Sequence, residues 1–274
     1  MKELNIFGKG FIGGRFCEMT DNVIINERED YLSKTNDILY MISTIDNSNV
    51  HTDPFLDIDT NLNILIKVLE SCKHRKVVTF NFISSWFVYG NTDLPAREDS
   101  RCYPNGFYSI TKRTAEQLLI SYCETFDIKY RIIRMANVLG EQDKKVSAKK
   151  NALQYLIRKI KNDEDIFLYD NGNICRDYIY VDDAVTAINM VIDKGKTNEI
   201  YNVGNGEPVE MRSALAYVRL KTCSKSKFIN IEPSDLQGSI QTKNMVLNVN
   251  KIKDLGYEKK YKIYDILDIL IEKG

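Results

Sequence analysis

Histidine is nearly missing from this chain: His51 and His74 are the only two in 274 residues. A histidine-based triad or an imidazole-rich metal centre therefore has little to be built from. The six cysteines (Cys17, Cys72, Cys102, Cys123, Cys175 and Cys223) are scattered, with no CxxC pair. That spacing points away from a metal site and toward reduced thiols of a cytoplasmic protein. Net charge is missing too, since 38 Lys and Arg balance 38 Asp and Glu. Without a basic field or stripe, beyond a short lysine run at 144–150, nucleic acid is not an expected partner. No apolar run approaches the roughly 18 residues of a membrane span, and the N-terminus has no signal-peptide core, so neither membrane insertion nor export is expected. What is present is 43% hydrophobic residues, enough for a packed core arranged as one large domain or as a major and a minor lobe.

Short apolar runs alternate with amphipathic ones. "LNIF" (4–7), "NVIIN" (22–26), "NDILYMIST" (36–44), "KVVTFNFISS" (76–85) and "KYRIIRMANVLG" (129–140) read as strands. Helical spacing marks 11–19, 59–73 and 109–126 between them. Continuously apolar strands alternating with helices predict an α/β fold with a Rossmann-like, doubly wound parallel sheet covered on both faces. That domain is placed at 1–137. Residues 138–274 read mainly as a smaller C-terminal substrate-binding lobe, with about 175–204 returning to the core. In this half, 151–162 and "IYDILDILIEK" (263–273) read as helices, "DIFLYDNG" as a strand with a turn, and "RDYIYVDDAVTAINMVID" as a strand running into a helix.

Gly8, Gly10 and Gly13 spell GxGxxG at the turn from the first strand into the first helix. The first glycine permits the tight turn, and the second leaves room for a pyrophosphate. The third lets the helix pack close, with its first amides, those of Phe11 and Ile12, aimed at the phosphates. This predicts a dinucleotide cofactor. At the end of the second strand, where an acidic residue would grip the adenosine ribose, Asn26 stands instead, followed by Glu27 and Arg28. A neutral Asn beside an Arg suits a 2′-phosphate better than a bare hydroxyl, favouring NADP over NAD. The alternative is that Arg28 is a solvated residue of a helix over "EREDYLSK".

Tyr108 and Lys112 lie four apart at the start of a helix, and so share a face. A phenol must drop about three pKa units, roughly 4 kcal/mol, to act as a base near neutrality, and a nearby ammonium helps supply that. Tyr155/Lys159 and Tyr217/Lys221 repeat the spacing but read as packed tyrosines with solvated lysines. Only Tyr108 follows a strand ending in "ISSWFVYG", which delivers Ser85 to the same edge of the sheet.

The motifs "GKGFIGG", "DTNLNILIKVLESC", "FISSWFVYG", "FYSITKRTAEQLL", "RMANVLG", "RDYIYVDDAV" and "IYNVGNGEPV" run in one order over nearly the whole chain. In this the chain resembles the extended short-chain dehydrogenases/reductases of the NAD(P)-dependent nucleotide-sugar epimerase/dehydratase family. The resemblance implies that Tyr108 is the acid/base, that Lys112 binds the nicotinamide ribose and tunes Tyr108, and that Ser85 hydrogen-bonds the reacting sugar oxygen. It implies a supporting role at the cofactor for Asn61, and binding of the nucleotide diphosphate by Asn137 and Arg176. The alternative for Arg176 is pairing with Asp177, Asp182 or Asp183. A homodimer through the helices at 59–73 and 109–126 is also implied.

There are departures. The family usually writes GxxGxxG, whereas here Phe7 replaces the first glycine or the loop is one residue shorter. The segment between the second strand and "DILYMIS" is abbreviated, so a strand or helix of the usual half is lost. Sugar 4,6-dehydratases carry an Asp-Glu pair after the catalytic hydroxyl; this chain has Trp86, placed at the substrate, and Phe87. That speaks against dehydration. Cys102, with no histidine partner nearby, reads as a loop cysteine in preference to a substrate-side acid.

Two enzyme readings follow: an NAD(P)H-dependent reductase acting at C4 of a nucleotide-linked 4-keto-6-deoxysugar, which is preferred, and a nucleotide-sugar 4-epimerase with tightly bound NAD. A non-catalytic NAD(P)-binding sensor or scaffold has no need of Ser85, Tyr108 and Lys112 together.

Overall fold

In the computed structural model, which describes residues 3–46, 49–73, 75, 78–144, 146–147, 150–232 and 244–274, six parallel strands form the central sheet. His74, Lys145 and Lys149 lie outside the described residues. The strands are β1 (Leu4–Phe7), β2 (Val23–Ile25), β3 (Asp37–Tyr40), β4 (Thr79–Ser85), β5 (Lys129–Met135) and, much later in the chain, β10 (Glu199–Val203). They lie in the order β10-β5-β4-β3-β1-β2. The order reverses at β1, whose two neighbours are β2 and β3, and ligands of such sheets bind in the crevice at that reversal.

One face of the sheet is covered by α3 (Ile64–Cys72) and α4 (Phe107–Thr125), which bury Leu65, Leu69, Ala115 and Leu119 against Ile38, Phe80 and Ile132. The other is covered by α1 (Phe11–Met19) and α6 (Val181–Lys194), joined side to side by Arg15, whose guanidinium bonds both Asp182 oxygens at 2.6 and 2.9 Å. The core on this second face runs without a break into the C-terminal lobe. There α5 (Ala152–Lys161), α7 (Met211–Lys221) and the final helix Ile263–Lys273 pack around the short strands β7 (Ile166–Tyr169) and β12 (Phe228–Ile231).

Two sequence expectations need correction, and one alternative reading fails. The apolar run 129–140 is two strands: β5 ends at Met135, and β6 (Asn137–Leu139) leaves the sheet to pair with β9 (Tyr178–Tyr180). Ala136 donates to Val203 on β10 at 2.8 Å, and Asn137 to the Asp177 carbonyl at 3.1 Å, so the chain changes partners within one residue. The helix expected from 59 begins earlier, with α2 (Phe55–Ile58), and passes through a π turn at Asp59–Asn63 before α3. Finally, "EREDYLSK" forms no helix; residues 26–36 are a looped strap. The helix and outer strand that normally follow a second strand are absent, and β2 is the sheet edge.

The strap is held by two asparagines. Asn5, wholly buried in β1, donates to Ile24 O at 3.0 Å and to Asn26 Oδ1 at 2.6 Å, and accepts from Lys34 N at 2.7 Å. Asn26 Nδ2 donates to the carbonyls of Asp30 and Leu32 at 2.9 and 2.8 Å. A buried amide without partners would be costly, and here the pair uses its polar atoms to fix the loop.

Candidate active site

Because all six strands are parallel, their carboxyl ends share one edge, and the expected site residues gather there. Gly8 follows β1 with a φ of +107°, and a Cβ on it would come within 3.0 Å of the backbone at Met41 and Ile42, just past β3. Gly13 is pressed harder: a Cβ there would meet Gly8 O at 2.1 Å. Gly10 differs, for nothing lies within 4 Å of an added Cβ. It precedes α1, whose first turn has no acidic residue and no side-chain cap, so the leading amides of the helix, Phe11 and Ile12 among them, face an open cradle. That is an environment for an anion, and it fits the pyrophosphate of a dinucleotide.

Beside the cradle, Ser85 ends β4 and its Oγ accepts from Phe87 N at 3.3 Å, capping the turn Trp86–Tyr89. Tyr108 sits in the first turn of α4, buried, with the hydroxyls of Ser85 and Ser43 beside its phenol. Burial pushes its pKa up to about 12, more than the two serines pull it down. Lys112, one turn on and 2% exposed, donates to the Ile83 carbonyl at 2.8 Å and lies 4.2 Å from the Phe82 ring centre. Burial lowers its pKa to about 7, with Glu116 pulling the other way.

Asn61 sits in the π turn, a distortion that recurs at functional sites. Its Oδ1 accepts from the Ser43 hydroxyl at 3.0 Å and Thr44 N at 2.9 Å; its Nδ2 donates to Thr44 Oγ1 at 2.8 Å and Thr111 Oγ1 at 3.0 Å. It thereby ties the loop after β3 to the helix of Tyr108 and Lys112.

The opposite wall is aromatic. Phe87 meets Tyr108 edge-on at 5.9 Å, Trp86 stacks on Phe87 at 3.9 Å, and the Arg176 guanidinium lies 5.3 Å from the Trp86 ring centre. Trp86 Nε1 donates to Asn137 Oδ1 at 3.3 Å, and Asn137 Nδ2 to Asp177 O at 3.1 Å. Trp86 is itself buried, so it backs this wall instead of standing out from it. The carboxylates flanking Arg176 in sequence are committed elsewhere. Asp177 accepts from the amides of Asn205, Gly206 and Leu247; Asp182 from Arg15; Asp183 from the amides of Lys260 and Tyr261.

Asn26, an expected cofactor residue, is used elsewhere, and Cys102 is expected from the sequence to be a loop cysteine. Asn26 spends its amide on the strap, and Arg28, two residues on, is exposed to solvent. Cys102 lies beside Arg134, Arg113 and Glu116, with its thiol pushed up by burial and bonded to Ser100 O at 3.7 Å. The repeats of the Tyr/Lys spacing lie on the lobe, where Tyr217 bonds Asp268 at 2.8 Å and Lys159 lies 5.9 Å from the Tyr155 ring. Ser43, Thr44, Asp57 and Thr111 were not anticipated. The available signals were that Ser43 and Thr44 follow a strand on the ligand edge, and that Asp57 is spaced four from Asn61.

A nucleotide-binding sheet with Ser, Tyr and Lys at its ligand edge defines an oxidoreductase-type, dinucleotide-dependent enzyme of the short-chain dehydrogenase/reductase kind. The chain belongs to the NAD dependent epimerase/dehydratase family, whose model matches residues 8–204; its members of this extended type are NAD(P)-dependent sugar-nucleotide enzymes. It is 28% identical to the low-salt glycan biosynthesis protein Agl12 of Haloferax volcanii, over 84% of this chain and 72% of that one. It is 25% identical to a dTDP-4-dehydro-6-deoxyglucose reductase of Escherichia coli, over 68% of this chain and 57% of that one. Among solved structures, UDP-glucose 4-epimerase of Thermotoga maritima with UDP-glucose aligns at a TM-score of 0.87 and 21% identity, covering 100% and 98% of the two chains. The RMD protein of Pseudomonas aeruginosa, solved with NADPH, aligns at 0.86 and 18%, covering 100% and 98%. These two likenesses show the fold.

Proposed function

We propose that the enzyme reduces C4 of a nucleotide-linked 4-keto-6-deoxysugar, with Tyr108 as the proton donor. The observation carrying this reading is the placement of the phenol: Tyr108 is buried at the carboxyl edge of the sheet with the Ser85 hydroxyl beside it. Protonated at neutral pH, it can deliver its proton to an oxygen that gains negative charge. Ser85 donates to the same sugar oxygen. Gly8, Gly10 and the amides of Phe11 and Ile12 would hold the pyrophosphate of the cofactor, and Lys112 would bind the nicotinamide ribose, with Asn61 bracing that side. When bound, the reduced nicotinamide supplies the hydride. Asn137 and Arg176, on the wall built by Trp86, hold the nucleotide diphosphate.

The residues after Ser85 support reduction over dehydration, since Trp86 and Phe87 fill the wall and offer no acid to a leaving C6 hydroxyl. The E. coli relative named as a 4-dehydro-6-deoxyglucose reductase supports the same direction. Arg28 favours NADPH. Six unpaired cysteines agree with the cytoplasm, and among the described residues no helix is long and apolar enough to cross a membrane. The test is to offer the purified protein NADPH and a dTDP-4-keto-6-deoxysugar and to follow absorbance at about 340 nm, the reduced-nicotinamide band whose loss reports the cofactor step. Consumption of NADPH supports the reading. Protein that carries NAD from purification and interconverts UDP-sugars without consuming NADPH is a 4-epimerase instead.

A further inference from the structure

The carboxylate of Asp177 is spent entirely on backbone, next to the two residues assigned to the nucleotide diphosphate. Asp177 is 1% exposed. Its Oδ1 accepts from Asn205 N at 2.7 Å, and its Oδ2 from Gly206 N at 3.0 Å and Leu247 N at 3.2 Å. Three amides on two oxygens suit a carboxylate, which only accepts; an Asn in its place would turn its NH2 toward at least one amide. Bonds to an ionised acceptor are also the stronger kind. The carboxylate is tightly seated, for a Cβ on Gly204 would come within 2.7 Å of Oδ2 and 3.0 Å of Ala136 Cβ.

What these amides fasten is the frame of Arg176. On one side, β8 (Cys175–Arg176) pairs with β11 (Val209–Glu210), and Arg176 stands opposite Val209, three residues past Gly206. On the other side Arg176 bridges Met245, two residues before Leu247, and Met245 N donates to Cys175 O at 3.0 Å. Both segments flanking the Arg176 backbone are thus tied to the carboxylate of the next residue. The Asp177 carbonyl meanwhile accepts from Asn137 N and Nδ2, each at 3.1 Å. Asn137 Oδ1 in turn takes Trp86 Nε1, whose ring faces the Arg176 guanidinium. One residue therefore anchors Arg176 through its carboxylate and Asn137 through its carbonyl. An apolar side chain here would leave three amides without their acceptor, which is costly where they are buried.

We propose that Asp177 is a positioning residue for nucleotide-diphosphate binding: its carboxylate fixes the two backbone segments beside Arg176 and so holds the guanidinium at Trp86, where it meets the diphosphate. This rests on the assignment of Arg176 to the diphosphate. Asp177 does not itself touch the ligand, because its oxygens are filled by backbone amides. The glycine turn for the cofactor is built on β1 and α1, outside this frame, so cofactor affinity is the control.

The test is calorimetric titration of the full-length protein with dTDP and with UDP. Asp177→Asn should weaken the better of the two by about tenfold, the size of one lost hydrogen bond to a charged group, and leave NADPH affinity unchanged. Gly204→Ala, whose Cβ displaces the carboxylate, should act in the same direction, and serves if the Asn variant folds poorly. Arg176→Ala should also weaken the nucleotide, and adding Asp177→Asn to it should cost less than about twofold more, since residues acting as one unit are not additive. The proposal is overturned, with the Arg176 assignment left standing, by full additivity, by unchanged nucleotide affinity in Asp177→Asn and Gly204→Ala, or by loss of NADPH affinity in both. Nucleotide affinity unmoved by Arg176→Ala, or a parent protein that binds neither nucleotide, removes both.

Discussion

Tyr108 and Lys112 occupy one wall of the crevice, and the same burial drives each toward its uncharged form, the phenol up to about 12 and the ammonium down to about 7. Their roles separate on substitution. Tyr108→Phe should cut turnover by about 10² to 10⁴, the usual worth of a general acid, and leave cofactor binding nearly intact. Tyr155→Phe and Tyr217→Phe, with partners on the lobe, should be nearly silent in the same assay. Lys112→Met should also lose turnover, yet stabilise the cofactor-free protein by about 1 kcal/mol, as removal of a desolvated charge at a functional site commonly does. The pH dependence fixes the sign. With its folded pKa near 7 against an ordinary 10.5, Lys112 binds fewer protons in the folded state than in the unfolded one across that window. Its contribution to stability is therefore present above about 10.5 and is lost as pH falls toward 7. Melting curves from pH 7 to 10 should show that rise in the parent protein and a flatter trend in Lys112→Met; parallel curves would refute it.

At the scale of elements, the strap at 26–36 is the departure with the most direct consequence. Asn5 and Asn26 set its path from inside, and Arg28 rides on it in solvent. If that side chain meets a 2′-phosphate, Arg28→Ala should weaken NADPH by about 1.5 to 3 kcal/mol, the worth of a hydrogen bond to a charged group, and spare NADH. Titration of both cofactors by fluorescence measures this, and equal losses would assign the discrimination elsewhere. The strap also marks where sequence reading stopped. That a segment was missing could be seen against the pattern of the family the chain resembles; the glycine turn, the strand delivering Ser85 and the Tyr108/Lys112 face could be seen in the sequence, because each is encoded by neighbours in the chain. The internal use of Asn26 could not be seen, since it depends on Asn5 from another strand. Nor could Asp57 and Thr44, which meet where the loop after β3 crosses the π turn. The break at Ala136 was hidden because β5 and β6 are equally apolar and differ only in the partner each finds, Val203 or Tyr178, both distant in sequence.

For the whole molecule, the outward side of α4 raises the question of assembly. Ile110 and Leu118 on α4 are 48% and 39% exposed, and Phe55 and Leu56, at the head of the neighbouring helical run, 68% and 42%. Apolar side chains in this density on adjoining helices suit a self-complementary two-fold contact. We expect light scattering at micromolar concentration to give twice 31.7 kDa, and Leu118→Asp to return it to the single value; a parent protein already at 31.7 kDa would refute the dimer.

The late arrival of β10 bears on how the chain is made. The sheet is not complete at Met135, because the strand that seals the flank of β5 is Glu199–Val203, beyond the helix and short strands of the lobe. A ribosome adding roughly 5 to 20 residues per second leaves β5 unsealed for several seconds while that stretch is synthesised. The nascent nucleotide-binding half thus carries an unpaired strand edge until the chain through Val203 has emerged, which makes the first part of the lobe, α5 and β7 included, a prerequisite for finishing the half that precedes it.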